Sequence, residues 1–396
     1  MSMASKDKKR LAILSPIPPY PPLAGGTAHI NQATQQLARF YHVDLYALAV
    51  DPTIVIWGPL QACCDEVRAF GRTQTKPRGL ALDPPAVHQE YAPALHAHLQ
   101  QRWATQPPDL VQLEFTSMAQ YATLAQQYSI PVVCTALNVA FLAQIRRARQ
   151  EQNPRRRLRR WLGALSLWRY ELLTLRRCNL VVALGEADAI ALRRWLPQLS
   201  VRYIPSGIDL GDWPVCFTPA SENEVLFVGS YLHPPNVEGA LWFAREVWQQ
   251  VRQIRPNARL TLAGRTPPPE LTALATSDIR IPGTIDDLHP YYASTSLVVA
   301  PIFWGSGVRI KLLEAMACGL PIVTTALAAE GIGLHHEQSA LFAEDSAVFA
   351  AAIARLLDDA ALRARLGAAG RAIVEQKYDW NAVGEQLHQA YQPLIT

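Results

Sequence analysis

No run of eighteen apolar residues occurs anywhere in the 396-residue chain, which excludes an ordinary membrane-spanning helix. Charge is sparse, at 18% of residues with a net +4, too small an excess to imply nucleic acid as a partner. The six cysteines show no metal-ligand spacing, and adjacent Cys63 and Cys64 cannot easily serve one structural zinc. Reduced intracellular thiols are the simplest reading. There is no Asp-x-Asp metal cluster, no low-complexity tract and no internal repeat. The stretch Met1–Arg10 is Lys-rich and leads directly into Leu11-Ala12-Ile13-Leu14, too short for the apolar core of a signal peptide. It reads as a disordered leader.

What remains is a globular α/β chain, 49% hydrophobic and long enough for two domains with large cores. Its organising stretch runs from Gly305 to Pro321. An apolar strand, Leu297–Ile302, comes first. After Gly305-Ser306-Gly307-Val308 the apolar residues Ile310, Leu313 and Ala317 recur at helical spacing. Gly319 and Pro321 stop the helix, and Ile322–Thr325 reads as the next strand. A glycine loop lets backbone approach a ligand closely, and the helix start offers unpaired N–H groups. Arg309 and Lys311 add two full positive charges, which suits a phosphate or diphosphate. Glu314, one turn on, suits sugar hydroxyls such as those of a ribose. An ordinary βαβ turn with two solvated cations accounts equally well for the loop composition.

The same grammar opens the chain. Leu11–Ser15 is a strand, Pro16 to Thr27 a loop carrying Gly25 and Gly26, Ala28–Phe40 a helix and Val43–Val50 a strand. The loop lacks Gly-x-Gly-x-x-Gly, so it is no dinucleotide fingerprint. Its glycines either face a ligand or merely accompany stiffening prolines. Later strands end near Glu114, Asn138 and Glu186, where ligands of open α/β sheets gather. Each of these three alone is more often a cap or loop-stabilising group. The pattern restarts at Glu224–Ser230, followed by a helix over Val237–Arg255.

Gly-Ser-Gly-x-Arg-x-Lys-x-Leu-Glu-Ala-Met-Ala-x-Gly-x-Pro resembles the nucleotide-binding segment of family 4 glycosyltransferases, the retaining GT-B enzymes. It is closest to a subgroup with a Gly-Ser-Gly loop. Ile204-Pro205-Ser206-Gly207-Ile208-Asp209 and the closing segment from Glu375 to Trp380 resemble the family as well. The resemblance implies two Rossmann-like domains facing a cleft. A disordered leader over 1–10 precedes an acceptor domain over 11–212. A donor domain over 213–375 follows, with a final helix over 376–396 crossing back. Arg309, Lys311 and Glu314 become the catalytic groups. Gly25, Gly26, Asn138, Gly229, Ser230, Asn236, Gly283, Asp287, Gly305, Ser306, Gly307 and Val308 line the substrates. Glu314 matches the second of the family's two glutamates, but Ser306 stands where the first would be. Leu137 replaces a family histidine, and the loop after the first strand of the donor domain lacks the usual Arg and Lys. The implied reaction is retaining transfer from a nucleotide diphosphate sugar, with no cofactor and no metal. Rival readings are a non-catalytic nucleotide-sugar binder and a GT-B epimerase or hydrolase.

Arg146–Arg177 carries eleven arginines interleaved with Trp161, Leu162, Leu165, Leu167, Trp168, Leu172 and Leu173. Such a helix suits an anionic membrane surface. The alternative packs Leu165–Leu175 in the core and leaves the arginines solvated. The expected setting is cytoplasmic, with peripheral contact at the inner membrane face under the first alternative.

Overall fold

The computed structural model describes residues 8–22, 25–72, 84–215, 223–285, 287–305 and 309–395. Contacts divide them into two units. One holds the residues up to Gly207 together with those from Trp380 onward, and the other holds Ile208–Gly305 and Arg309–Asp379.

The first unit is built on β1 (Arg10–Ser15), β2 (His42–Ala49), β3 (Glu66–Gly71), β4 (Leu110–Glu114), β5 (Val132–Ala136), β6 (Leu180–Ala183) and β7 (Ser200–Tyr203). All are parallel, in the order β3-β2-β1-β4-β5-β6-β7. Near-continuous apolar strands such as Leu11–Leu14 and Val132–Ala136 are buried throughout, as a sheet covered on both faces requires. Of the leader expected over 1–10, residues 1–7 lie outside the described residues. The last residues of that stretch are held in place. Lys9 pairs with Asp109 at 3.3 Å, Arg10 pairs with Asp44 at 2.8 Å, and Arg10 already belongs to β1.

The C-terminal helix, Trp380–Tyr391, packs on the Gly25–Leu37 helix. Tyr391 donates to the Gln112 side chain at 2.9 Å, and the His388 ring meets the Tyr41 hydroxyl at 2.9 Å. The expected return of the last helix to the N-terminal domain is therefore observed.

The second unit has β8 (Glu224–Val228), β9 (Arg259–Ala263), β10 (Ile279–Arg280), β11 (Leu297–Ala300), β12 (Ile322–Thr324) and β13 (Leu341–Phe342). They are also parallel, in the order β10-β9-β8-β11-β12-β13. The helix expected over Val237–Arg255 starts earlier, at Pro234, because proline suits a first helical turn whose N–H groups are unpaired anyway. It is interrupted by a π turn over Phe243–Val247 before resuming at Trp248–Ile254.

The basic stretch forms two helices rather than one, Ala140–Gln150 and Pro154–Leu175. Asn153 caps the second by accepting from the backbone N–H groups of Arg155 and Arg156. Glu171, fully buried, ties the pair to the sheet. It accepts from the Ala140 and Phe141 backbone N–H groups at 3.1 and 3.0 Å, and from the Thr116 hydroxyl. Only part of the expected Leu165–Leu175 core segment is inside. Leu172 and Leu175 are buried, but Leu165 and Leu173 are exposed.

Several glycines set how closely segments approach. A Cβ on Gly264 would overlap the Gly229 carbonyl oxygen, whereas one on Gly163, in the Pro154–Leu175 helix, would meet nothing within 4 Å. Gly264→Ala is therefore expected to destabilise the protein by about 1–3 kcal/mol, the usual cost of overpacking. Gly163→Ala should stabilise it by about 0.5–1 kcal/mol, because alanine loses less backbone freedom in a helix. Denaturant unfolding of the two variants checks the opposite signs.

Candidate functional site

In an open parallel sheet, ligands gather beyond the carboxyl ends of the strands where the strand order reverses. In the second unit that point lies between β8 and β11, which pair directly. The segments leaving these two strands are the Gly229–His233 loop, with the first turn of the helix that starts at Pro234, and the stretch leading to the Ile310–Ala317 helix.

These segments meet through Lys311. Its ammonium donates to the Asn236 side-chain oxygen at 2.7 Å and lies 4.7 Å from the centre of the Phe227 ring. Asn236 in turn donates to the Ser230 carbonyl at 2.8 Å. The fit needs glycine at 229, since a Cβ there would come within 2.9 Å of the Asn236 side chain. Gly305 has φ +120°, and its Cβ position lies 3.0 Å from the Arg309 guanidinium. A side chain at 305 would thus both strain the backbone and displace Arg309.

The electrostatics follow from crowding. Lys311 keeps some accessible surface. Burial, assisted by the Arg309 charge and opposed by Glu314, nevertheless pushes its pKa down to about 7. His233 lies in the same field. Burial and the Lys311 and Arg309 charges all hold its pKa below the ordinary value. Two cationic side chains and an imidazole therefore converge at the switch point, where Arg309 disfavours the charged forms of Lys311 and His233, and Lys311 that of His233. An incoming anion would relieve that conflict.

Glu314 stands one helical turn beyond Lys311. The buried Tyr292 hydroxyl donates to it at 2.8 Å and to the Lys311 carbonyl at 3.1 Å. Burial raises the carboxyl pKa, while Tyr292 and Lys311 oppose the rise. Trp213 packs edge-on against Tyr292, with ring centres 5.2 Å apart, and stacks on His289 at 4.3 Å. Gly283 has φ +82° with open space around its Cβ position. Asp287 accepts from the backbone N–H of His289 at 2.9 Å and contacts its ring. That carboxylate is engaged in starting the His289–Ser294 helix. Asp286, Ser306, Gly307 and Val308 lie outside the described residues.

In the first unit the strand order reverses between β1 and β4. The helix there starts at Gly25, three residues before the expected Ala28, so Gly25 and Gly26 form its first turn. The turn is tight, with the Gly26 Cβ position 3.1 Å from the Phe115 ring. Asn138 follows β5 and is half-buried. Glu114, which position alone placed at a ligand face, is instead fully buried. Its carboxyl accepts from the Gln112 side chain, and burial lifts its pKa to about 8. His29 is also interior, 3.0 Å from the Ser206 hydroxyl, with burial holding its pKa near 3. Glu186 is exposed at the start of the Glu186–Trp195 helix.

Tyr292 and His233 also stand at this site, and no sequence motif points to either. A tyrosine in His289-Pro290-Tyr291-Tyr292 carries no motif, and the hydroxyl reaches Glu314 across 22 residues of chain. His233 was visible in the loop, but its place beside two cations depends on the fold. Among the described residues no three His, Cys, Asp or Glu side chains converge as a metal-ligand set.

Comparison with known proteins agrees with this layout. Residues 23–212 match the family described as Glycosyltransferase Family 4, and residues 222–359 match Glycosyl transferases group 1. A phosphatidyl-myo-inositol mannosyltransferase of Mycobacterium leprae is 31% identical over 185 residues, covering 45% of this chain and 48% of that protein. An uncharacterized protein in the cps region of Klebsiella pneumoniae is 28% identical over 180 residues, covering 43% and 45%. The chain thus spans about half the length of the curated relatives it matches. Among solved structures, sucrose-phosphate synthase from Thermosynechococcus elongatus superposes with a TM-score of 0.76 at 21% identity, covering 98% of this chain and 99% of that one. Anabaena HepE in complex with UDP-glucose does so at 0.68 and 17%, covering 97% and 100%. Matched in both halves, the chain belongs to the glycosyltransferases of family 4 and group 1 and has their GT-B fold of two Rossmann-like domains.

Proposed function

We propose that the protein is a retaining glycosyltransferase that moves a sugar from a nucleotide diphosphate sugar to a hydroxyl acceptor without a metal. The observation that carries this is the meeting of Arg309, Lys311 and His233 at the switch point of the second sheet, one helical turn from Glu314. Departure of the diphosphate from the anomeric carbon places new negative charge on its oxygens. Cations already in position stabilise that charge more in the transition state than in the ground state. Arg309 and Lys311 take this role, and the acceptor's proton passes to the leaving phosphate. Glu314, aimed by Tyr292, holds ribose hydroxyls. Gly229, Ser230, Asn236, Gly305 and the Ser306-Gly307-Val308 loop frame the phosphates, and Gly283 and Asp287 lie toward the base. Gly25, Gly26 and Asn138 serve on the acceptor domain.

The acceptor is a glycan, a lipid-linked compound or another hydroxyl compound. Relatives named as phosphatidyl-myo-inositol mannosyltransferases favour a lipid-linked one. HepE has been crystallised with UDP, and a Corynebacterium relative is named as GDP-mannose-dependent. UDP and GDP are therefore the first arms of a thermal-shift panel that also holds ADP, TDP and CMP. The matching diphosphate should stabilise the wild type by about 2.7 kcal/mol at a hundredfold excess over its Kd. Arg309→Ala should weaken both the nucleotide and inorganic pyrophosphate by roughly 1.5–3 kcal/mol, the worth of a charged hydrogen bond. Glu314→Ala should weaken only the nucleotide. If no diphosphate shifts the melting temperature at millimolar concentration, the donor-site assignment is wrong.

Proton linkage gives a second test. In the empty protein Lys311 loses its proton above about pH 7, whereas beside a diphosphate it must be charged. Binding therefore takes up a proton above that pH. Affinity should fall by up to about tenfold per pH unit between pH 8 and 9.5, where the phosphates themselves no longer titrate. Lys311→Arg should flatten the slope, since a guanidinium stays charged. Calorimetry in buffers of different ionisation enthalpy reads the uptake directly.

A further inference from the structure

The charge of this chain is unevenly placed. Between Arg146 and Arg177 there are eleven arginines against Glu151 and Glu171, an excess of nine positive charges. The whole chain carries only +4, so everything outside this stretch is net −5. Of the two glutamates, Glu171 is buried under the helices, and Glu151 is occupied by Arg160 at 2.9 Å.

Exposed apolar surface gathers on the same helix. Leu158, Trp161, Leu162, Leu165 and Leu173 are 62%, 40%, 61%, 59% and 45% exposed. They are five of the fourteen large apolar side chains that stand exposed among the described residues. The first four follow the i, i+3, i+4, i+7 spacing, which places them on one stripe within an arc of about 100°. The helix packs on the core from Ala164 onward through Leu172 and Leu175, while before it every residue from Arg155 to Arg159 is exposed. On the helical wheel Arg155 and Arg159 flank one side of the stripe and Arg157 the other. An apolar stripe between rows of arginine matches a surface that is greasy within and anionic at its rim.

We infer that the Pro154–Leu175 helix docks on an anionic lipid bilayer, with Leu158, Trp161, Leu162 and Leu165 entering the acyl boundary and Arg155, Arg156, Arg157 and Arg159 meeting the headgroup phosphates. A second copy of the chain is the poorer occupant of this face, because pairing two such stripes would bring two blocks of arginine together. The contact is peripheral, since no helix among the described residues is long and apolar enough to cross a membrane. The inference does not depend on the donor site, as lipid binding is read without nucleotide.

The test is flotation of the full chain with vesicles of phosphatidylcholine alone and of phosphatidylcholine with 30–40 mol% phosphatidylglycerol, a range of about one anionic lipid in three. The expected result is partition to the anionic vesicles only, weakening as salt is raised. Arg155→Gln/Arg156→Gln/Arg157→Gln/Arg159→Gln should lower the partition coefficient on the order of a hundredfold or more. Leu158→Ser/Leu162→Ser/Leu165→Ser should leave only a weak, fully salt-sensitive association. All seven side chains lie outside the core, so both variants should keep the wild-type melting temperature, which confirms that loss of binding is not loss of fold. Absence of wild-type binding to anionic vesicles at physiological salt overturns the proposal, as does binding that neither variant changes. Sedimentation showing a wild-type dimer that the serine variant dissociates would overturn it too, by assigning the stripe to a second copy.

Discussion

A parallel sheet must be covered on both faces, and that requirement decides where polar chemistry can stand in this protein. The strand interiors of both units are apolar and closed to water. Glu114, at the end of β4, shows what happens to a carboxylate that falls within the cover: burial moves its pKa up to about 8, and it becomes part of a hydrogen-bonded interior with Gln112. The place left for exposed, convergent polar groups is the carboxyl edge of each sheet, where neighbouring connections leave in opposite directions. Gly25 and Gly26 occupy that place in the first unit, and Asn236, Arg309 and Lys311 occupy it in the second.

Within the second unit the arrangement is held by close backbone contacts more than by strong bonds. Gly264 lets the chain after β9 reach the Gly229 carbonyl, and Gly229 leaves room for Asn236. Asn236 then holds the Lys311 ammonium. The first two steps need a missing side chain, so a methyl group at either glycine would be transmitted to the Lys311 ammonium. The cost of this precision is a lysine ammonium buried beside the Arg309 charge, which Glu314 only partly offsets.

Much of this was legible beforehand, for reasons that differ by residue. Strands such as Leu11–Ser15 and Leu297–Ala300 announce themselves because a strand buried on both faces is a continuous apolar run. The Ile310–Ala317 helix is visible because glycine before it and Gly319 after it punctuate a 3.6-residue period. What escaped depends on distance along the chain. Glu114 lies at the end of its strand, but only the tertiary cover shows that the end is capped by Gln112 and Tyr391. Tyr292 reaches Glu314 from another helix, and nothing local marks it. The first helix begins three residues before the expected Ala28, because glycine's cost in a helix interior weakens in a first turn. In the basic stretch arginine and leucine both favour helix, which points to one continuous helix. Asn153 and Pro154, a cap and a first-turn proline, were the stop signal.

Glu171 gives the paired helices of that stretch an unusual mechanical character. One carboxylate holds three separate parts of the first unit: the turn after β4 through Thr116, the start of the Ala140–Gln150 helix through two N–H groups, and the body of the Pro154–Leu175 helix that carries it. The exposed arm before Ala164 is therefore rooted, through the same helix, in a carboxylate that also holds the segments following β4 and β5. Burial raises the pKa of this shared carboxyl to about 7, while the Thr116 hydroxyl and the two backbone N–H groups oppose the rise.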